Sequence, residues 1–406
     1  MLTKVNPDAG YNDAVEGELL ERAREMRPLL LRNAPLHERE RRLSAEVIEA
    51  MSAAGFWAMA APRRWGGTGT SATTMARVGK ELAKGCSSTA WVYNILHGTT
   101  WVASLGPDAL QEAIFGANAD TPRICGAVNP PGTAIATDGG YIVNGRWPYS
   151  SGSRHANWGQ FGCNLHKPDG TVEPGGFMYL RMSELTIEDT WFVAGMKGTG
   201  SETCVAQDVF VPTERFFHVA KLGVGKHGAD KKHVGEPSDF WPFMPFLRAT
   251  GHGILLGIAD AVLERVKTAT GKPIIYTSYT HQRDSSVAQR EIGEAAAKIR
   301  AAELLIESNT QLVDRAGLSR IPLTAEERAR SKGEGALTVD LLTSAVDKLM
   351  FIAGAGAFAE SNDLQRMWRD LNVGARHTAN LPYVGYEIFG RSQLGFETNI
   401  SPPDFI

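Results

Sequence analysis

Apolar positions recur every three to four residues through the first third of the chain. "AVEGELLERAREMRPLLL", "SATTMARVGKELAKG" and "PDALQEAIFG" carry that spacing with polar residues between, the pattern of helices that bury one face. "SAEVIEAMSAAG" begins at Ser44, a capping residue, and stops at Gly55, a residue suited to end a helix. "SSTAWVYNILHGTTWVASLG" opens on serines and follows as another helix, and "PRRWGGTGT" between them reads as loop. Near Arg123 the period shortens. "RICGAVN", "TAIATDGGYIVNGRWPY", "WGQFGCNL", "FMYLRM", "LTIEDTWFVAG" and "TCVAQDVFVP" are short and rich in β-branched and aromatic residues, with Asp138-Gly139-Gly140 placed to turn a hairpin. Such a run predicts an antiparallel sheet or β-barrel ending around Pro212.

The stretch from Lys221 to Asp239 is polar and rich in Gly and Lys, the texture of a surface loop or linker. Helical spacing then returns in longer segments. "FLRATGHGILLGIADAVLERVKTAT" is apolar over much of its circumference, which predicts burial. "SSVAQREIGEAAAKIRAAELLIESNTQLV" has a capping box from Ser286 to Gln289, and "TAEERARSKGEGALTVDLLTSAVDKLMFIAG" one from Thr324 to Glu327. With "SNDLQRMWRDLNVGARHTAN" these predict a C-terminal four-helix bundle. The expected fold class is α+β: an N-terminal helical domain over 1–120, a central β domain over 121–220 and a helical bundle over 221–406.

Composition narrows the function classes. The 406 residues are 43% hydrophobic and 21% charged, enough apolar content for a sizeable core. Lys and Arg number 42 against 45 Asp and Glu, a formal charge of −3, so no electrostatic case exists for nucleic acid or an anionic membrane as partner. Cys86, Cys125, Cys163 and Cys204 are widely spaced and lack any CxxC pairing, so buried free thiols are expected and no metal site. The N-terminal segment lacks the apolar core of a signal peptide and no long uninterrupted apolar run occurs, which points to the cytoplasm.

A P-loop, a strand–GxGxxG–helix unit, an HExxH and a GxSxG elbow are all missing from the sequence. Instead, "GMKGTGSETCVAQDVFVPTERFF" (195–217) resembles the middle-domain signature of the acyl-CoA dehydrogenase fold, and the helix–β–helix order agrees with it. "GRWPYSSGSRHANWGQFG" and "RMWRDLNVGARHTANLPYVGYEIFGRSQLG" are similar to one branch of that fold, the oxygenase components of two-component aromatic hydroxylases, such as those acting on 4-hydroxyphenylacetate or on the phenolic ring of degraded steroids. Where many dehydrogenases carry the Tyr-Glu pair whose Glu is the α-proton base, this chain has His377-Thr378, so dehydrogenation lacks its base. Glu387 lies about three turns further on and reads as structural.

The resemblance implies a monooxygenase that takes FADH2 or FMNH2 from a separate NAD(P)H:flavin reductase and, with O2, hydroxylates a small phenol- or indole-like compound through a flavin C4a-hydroperoxide. Oxygenation at sulfur or nitrogen is the alternative within the same fold. The flavin carries the chemistry, and the protein excludes water and supplies directional hydrogen bonds. By the same resemblance, Ser150 or Ser151 is expected near flavin N5 and Trp147 along the flavin or substrate. Thr199 and Ser201 are expected on phosphate or ribose, and Arg283 reaches the pyrophosphate of a neighbouring subunit. His377 would hydrogen-bond the peroxide, and His97 would accept the phenol proton. Tyr93, His97, Trp101, Phe246 and Tyr383 are expected to line the substrate pocket, while His155 is taken as structural. The fold's usual homotetramer is expected through the C-terminal helices.

Overall fold

The caps and periods read from the sequence set where the helices begin. The computed structural model describes residues 10–116, 121–167, 169–222, 234–402 and 405–406, so most of the polar stretch expected as a linker lies outside the described residues. Five helices come first: α1 (Asp13–Glu40), α2 (Ala45–Ala53), α3 (Ala72–Gly85), α4 (Ser87–Ser104) and α5 (Asp108–Phe115). Ser44 accepts a hydrogen bond from the Val47 amide at the start of α2, and Ser71 does the same for Thr74 at the start of α3. α4 is buried on nearly every face, which its continuous apolar sequence requires.

Seven strands follow: β1 (Ile124–Thr137), β2 (Gly140–Ser150), β3 (Trp158–His166), β4 (Val172–Arg181), β5 (Thr186–Glu188), β6 (Glu202–Pro212) and β7 (Phe216–His218). They form one sheet in the order β5-β6-β2-β1-β3-β4-β7. The expected hairpin is present: Thr137 pairs with Gly140 across Asp138-Gly139, where Gly139 adopts a φ of 71°. The expected closed antiparallel barrel is corrected. The edge strands β5 and β7 are not paired with each other, and β1 pairs with β3 in parallel. The reason is topological: β6 occupies the outer edge of β2, so β3 joins the sheet on the far side of β1, running in the direction of β1.

The C-terminal part contains α6 (Phe243–Ala269), α7 (Ser286–Ser319), α8 (Ala325–Ala353), α9 (Asp363–Ala375) and α10 (Pro382–Gln393). The Thr324–Glu327 capping box opens α8 as anticipated, whereas α7 is capped one residue earlier than expected, by Ser285 accepting from the Ala288 amide. α10, packed on α8, is a fifth helix that the pattern did not announce. By length and composition α6 is apolar enough to cross a membrane, but 83% of its most apolar window is buried within the protein, where α3, α7 and α8 surround it. Gly253 and Gly257 bring its backbone onto α3, where an added Cβ would collide with the carbonyls of Ala76 and Lys80. The four helices expected as a bundle, α6 to α9, pack on one another, but α6 packs on α3 as well, and one apolar core runs through all three parts. The four cysteines are buried and unpaired.

Candidate active site

Two turns converge at one end of the sheet. The first leaves β2 through Tyr149, Ser150, Ser151 and Gly152, and the second enters β6 through Met196 to Ser201. Both are bent by left-handed residues: Tyr149 at φ 62° and Met196 at φ 56° join Gly152 and Gly200. A bulky residue in that region is strained, and strain of this kind concentrates at functional sites. The Gly152 amide donates to the Thr199 carbonyl at 2.8 Å and ties the turns together.

A line of hydroxyls runs between them. Ser151 Oγ lies 2.7 Å from Ser201 Oγ, which lies 2.7 Å from Thr199 Oγ1, and Thr199 Oγ1 donates to the Met196 carbonyl at 2.8 Å. The last bond fixes the direction of the others. A carbonyl only accepts, so the single proton of Thr199 goes to it, and Thr199 must accept from Ser201. Ser201 in turn must accept from Ser151. The outcome is a one-way relay that uses the Ser151 proton internally and leaves its oxygen as a pure acceptor. Ser150 differs: its hydroxyl, fully buried, donates back to the Trp147 carbonyl at 3.1 Å.

Further side chains hold the turns. Glu202, 1% exposed, accepts from the amides of Thr190 and Trp191 at 2.7 and 2.9 Å and from Arg154 at 3.2 Å. The Trp191 indole donates to the Met196 carbonyl at 3.0 Å and stands edge-on to the exposed Tyr149 ring at 5.8 Å. The buried Asp370 of α9 accepts from the Met196 amide at 2.5 Å, and burial raises its pKa to about 6. Arg369 donates to the Ala194 carbonyl. This latch brings the end of α9, and with it His377, up to the β turns. His377 Nδ1 accepts from the Ala379 amide at 3.3 Å, so the proton of the neutral ring resides on Nε2. Its ring stands edge-on to Trp91 of α4 at 5.6 Å; the residue is exposed on its outer side, and the protein packed against the other lowers its pKa below that of a free imidazole.

The other expected site residues fall in three places. Tyr93, His97, Trp101 and Phe246 come together between α4 and α6, all buried. Tyr93 donates to the Met75 carbonyl at 3.2 Å and Trp101 to the Ser238 carbonyl at 2.8 Å, while Trp101 and Phe246 pack at 4.6 Å. His97 lies between two carbonyls, Tyr93 at 2.5 Å from Nδ1 and Phe56 at 2.6 Å from Nε2, and burial pushes its pKa down to about 4. Neither of its nitrogens is open in this structure. Trp147 lies inside the β layer, stacked on Phe161 at 4.5 Å with its indole donating to Gly162 at 3.0 Å, so no face of it is open to a flavin within the chain. Arg283, Tyr383 and Glu387 are exposed. His155 accepts from the Leu43 amide at 3.1 Å, a packing role, with its pKa lowered to about 4 by burial and nearby arginines. Sequence reasoning missed Tyr149, Trp191, Met196, Glu202 and Asp370. Tyr149, Met196, Glu202 and Asp370 all lie within the segments that carry the family resemblance, but nothing in their spacing marked their roles.

The fold is that of the acyl-CoA dehydrogenases. The family's N-terminal domain matches residues 18–120 and its C-terminal domain residues 252–382. The chain is 32% identical over 87% of its length to the flavin-dependent monooxygenase oxygenase subunit HsaA of Mycobacterium tuberculosis, of which it covers 90%. It is 30% identical to the FADH2-dependent resorcinol hydroxylase oxygenase component of a Rhizobium species, over 89% of this chain and 90% of that one. The solved structure of XiaF from Streptomyces, in complex with FADH2 and glycerol, superposes with a TM-score of 0.91 at 32% identity, covering 96% of this chain and 98% of that one. The chain belongs to the acyl-CoA dehydrogenase-fold family of flavin-dependent monooxygenases, as an oxygenase component.

Proposed function

We propose that the protein hydroxylates an aromatic compound with O2 and FADH2, the reduced flavin coming from a separate NAD(P)H:flavin reductase in the cytoplasm. One oxygen atom enters the ring as a hydroxyl, the other leaves as water, and FADH2 becomes FAD. The observation that carries the reading is the acceptor-only oxygen of Ser151. Reduced flavin bears N–H at N5 and oxidised flavin a bare nitrogen there, so such an oxygen suits the reduced form. FADH2 in place of FMNH2 is supported by the names of the resorcinol hydroxylase and of the XiaF complex, and an aromatic substrate by the former.

Bound reduced flavin supplies the electrons that activate O2. The residues of this chain do the rest: Ser151 accepts, Ser201 and Thr199 fix its proton, and Arg283 of a second copy in a homotetramer pairs with the flavin phosphates. His377 offers Nε2–H to a developing oxygen anion. Dehydrogenation is disfavoured because the turn at 376–380 has no carboxylate, and Asp370 is already bonded to the Met196 amide. The test is an anaerobic mixture of protein, FADH2 and a panel of phenols, pulsed with 18O2. Label in a ring hydroxyl is expected; unlabelled phenols, with bound FAD bleached by an acyl-CoA, would sink the reading.

A further inference from the structure

Arg248 and His252 of α6 meet Ser331 and Lys332 of α8 deep in the helical layer. Arg248, His252 and Lys332 are 3%, 2% and 7% exposed. Arg248 Nη2 donates to Ser331 Oγ at 3.2 Å, and its Nη1 is buried with no hydrogen-bond partner. Among the described residues Lys332 has no hydrogen bond or ion pair, and His252 is bonded to Asn380 Oδ1 at 3.2 Å. Gly335 allows the approach, since an added Cβ would press on the His252 ring and Arg248 Cδ. α10 covers α8 here with Gly385 and Phe389, and its acidic residue, Glu387, is exposed. Among the described residues no carboxylate forms an ion pair with the three bases.

Burying cations without a counter-charge costs several kcal/mol each, and apolar side chains of similar volume would pack there at less cost. The penalty shows in the groups themselves: burial and the Arg248 charge lower Lys332 to about 8, and Arg248 falls to about 10. An arrangement that keeps this penalty is built for an anion that arrives later. Its neighbour is the candidate active site. Asn380 accepts from His252, and its own amide donates to the His377 carbonyl at 2.8 Å, so one residue joins the bases to the turn that carries His377.

We infer that the Arg248–Lys332 cluster anchors an anionic oxygen of the aromatic substrate, a carboxylate or a phenolate. The anchor rests on the hydroxylase reading and specifies its substrate class. The intact protein, anaerobic and loaded with FADH2, is titrated with 4-hydroxybenzoate against 4-hydroxybenzamide for the carboxylate, and at pH 8 with 4-nitrophenolate against 4-nitroanisole for the phenolate. In one of the pairs the anion should bind roughly tenfold tighter or more. Lys332→Met should bring that ratio to within about twofold, while Lys332→Arg, which keeps the charge, should preserve it. Three results overturn the anchor: no preference in either pair, equal loss for anion and neutral analogue in Lys332→Met, or dissociation of subunits in Lys332→Met with selectivity unchanged, which would give the cluster to a carboxylate of a second copy. The hydroxylase reading fails separately. Hydroxylation of neutral phenol without anionic preference removes only the anchor, whereas anion binding without any ring oxygenation removes the function.

Discussion

Ser151 Oγ lies 2.7 Å from Ser201 Oγ, and the proton between them belongs to Ser151. That assignment follows from Thr199 donating to a carbonyl two bonds away. Removing the middle of the relay should free the Ser151 proton to point outward. In Ser201→Ala, the preference for FADH2 over FAD should fall by about five- to tenfold, the worth of one hydrogen bond of ~1 kcal/mol. Anaerobic equilibrium titration with each flavin measures it; an unchanged ratio would detach the relay from flavin selection.

His377→Ala should leave FADH2 affinity within about twofold, because the imidazole makes one local cap bond and an edge contact with Trp91. Product yield per NADH should drop, with hydrogen peroxide rising to match. The measurement is peroxide and hydroxylated product per reductase turnover, and intact coupling would remove the role assigned to Nε2.

His97→Leu distinguishes packing from substrate contact. The change removes the single N–H of the neutral ring, which serves one of the Tyr93 and Phe56 carbonyls in a buried site, a loss of ~1–3 kcal/mol. A lower melting temperature with an unaltered pH profile of phenol hydroxylation is expected. A shifted profile at normal stability would return His97 to the substrate.

Acid should unfold the protein earlier than its carboxylates alone would require. His37, His97 and His155 are held down to about 4, and His252 to about 3, chiefly by burial. Each therefore binds its proton only on unfolding, at 6.5, and its contribution is lost as pH falls below that value. Asp314 and Asp370, raised to about 6, act in the opposite sense between 3.8 and 6. Four imidazoles outnumber two carboxyls, so melting temperature should fall steadily from pH 6.5 to pH 4.5. A flat profile there would contradict the burial of these rings.

Period and punctuation made the helices and the Asp138-Gly139 hairpin legible, because those signals lie within a few residues of each other. Sheet closure was not legible: whether β3 joins beside β2 or beyond β1 depends on β6, some 40 residues later. α10 went unannounced since its exposed Tyr383, Tyr386 and Glu387 leave only a thin apolar stripe on Gly385 and Ile388. In the site, the hydroxyls of Ser151, Thr199 and Ser201 were legible as a group, but their direction was not, as it is set by the Met196 carbonyl in three dimensions. Trp147 is a different case. Its ring stacks on Phe161 within the β layer, and the register shift between Trp147 and Ser150 breaks the simple alternation that would relate it to the serines. The left-handed turn at Tyr149 has no sequence mark at all.

The glycine contacts between α6 and α3 also bear on how the chain can be divided. A piece ending at residue 120 would present the α3 surface bare, and a piece beginning at 243 would present α6, the one described helix long and apolar enough to cross a membrane, to water. Neither half is equipped to stand alone. Cutting the polypeptide between them should yield two aggregation-prone fragments that recover a native state only by complementation, each serving as the missing wall of the other.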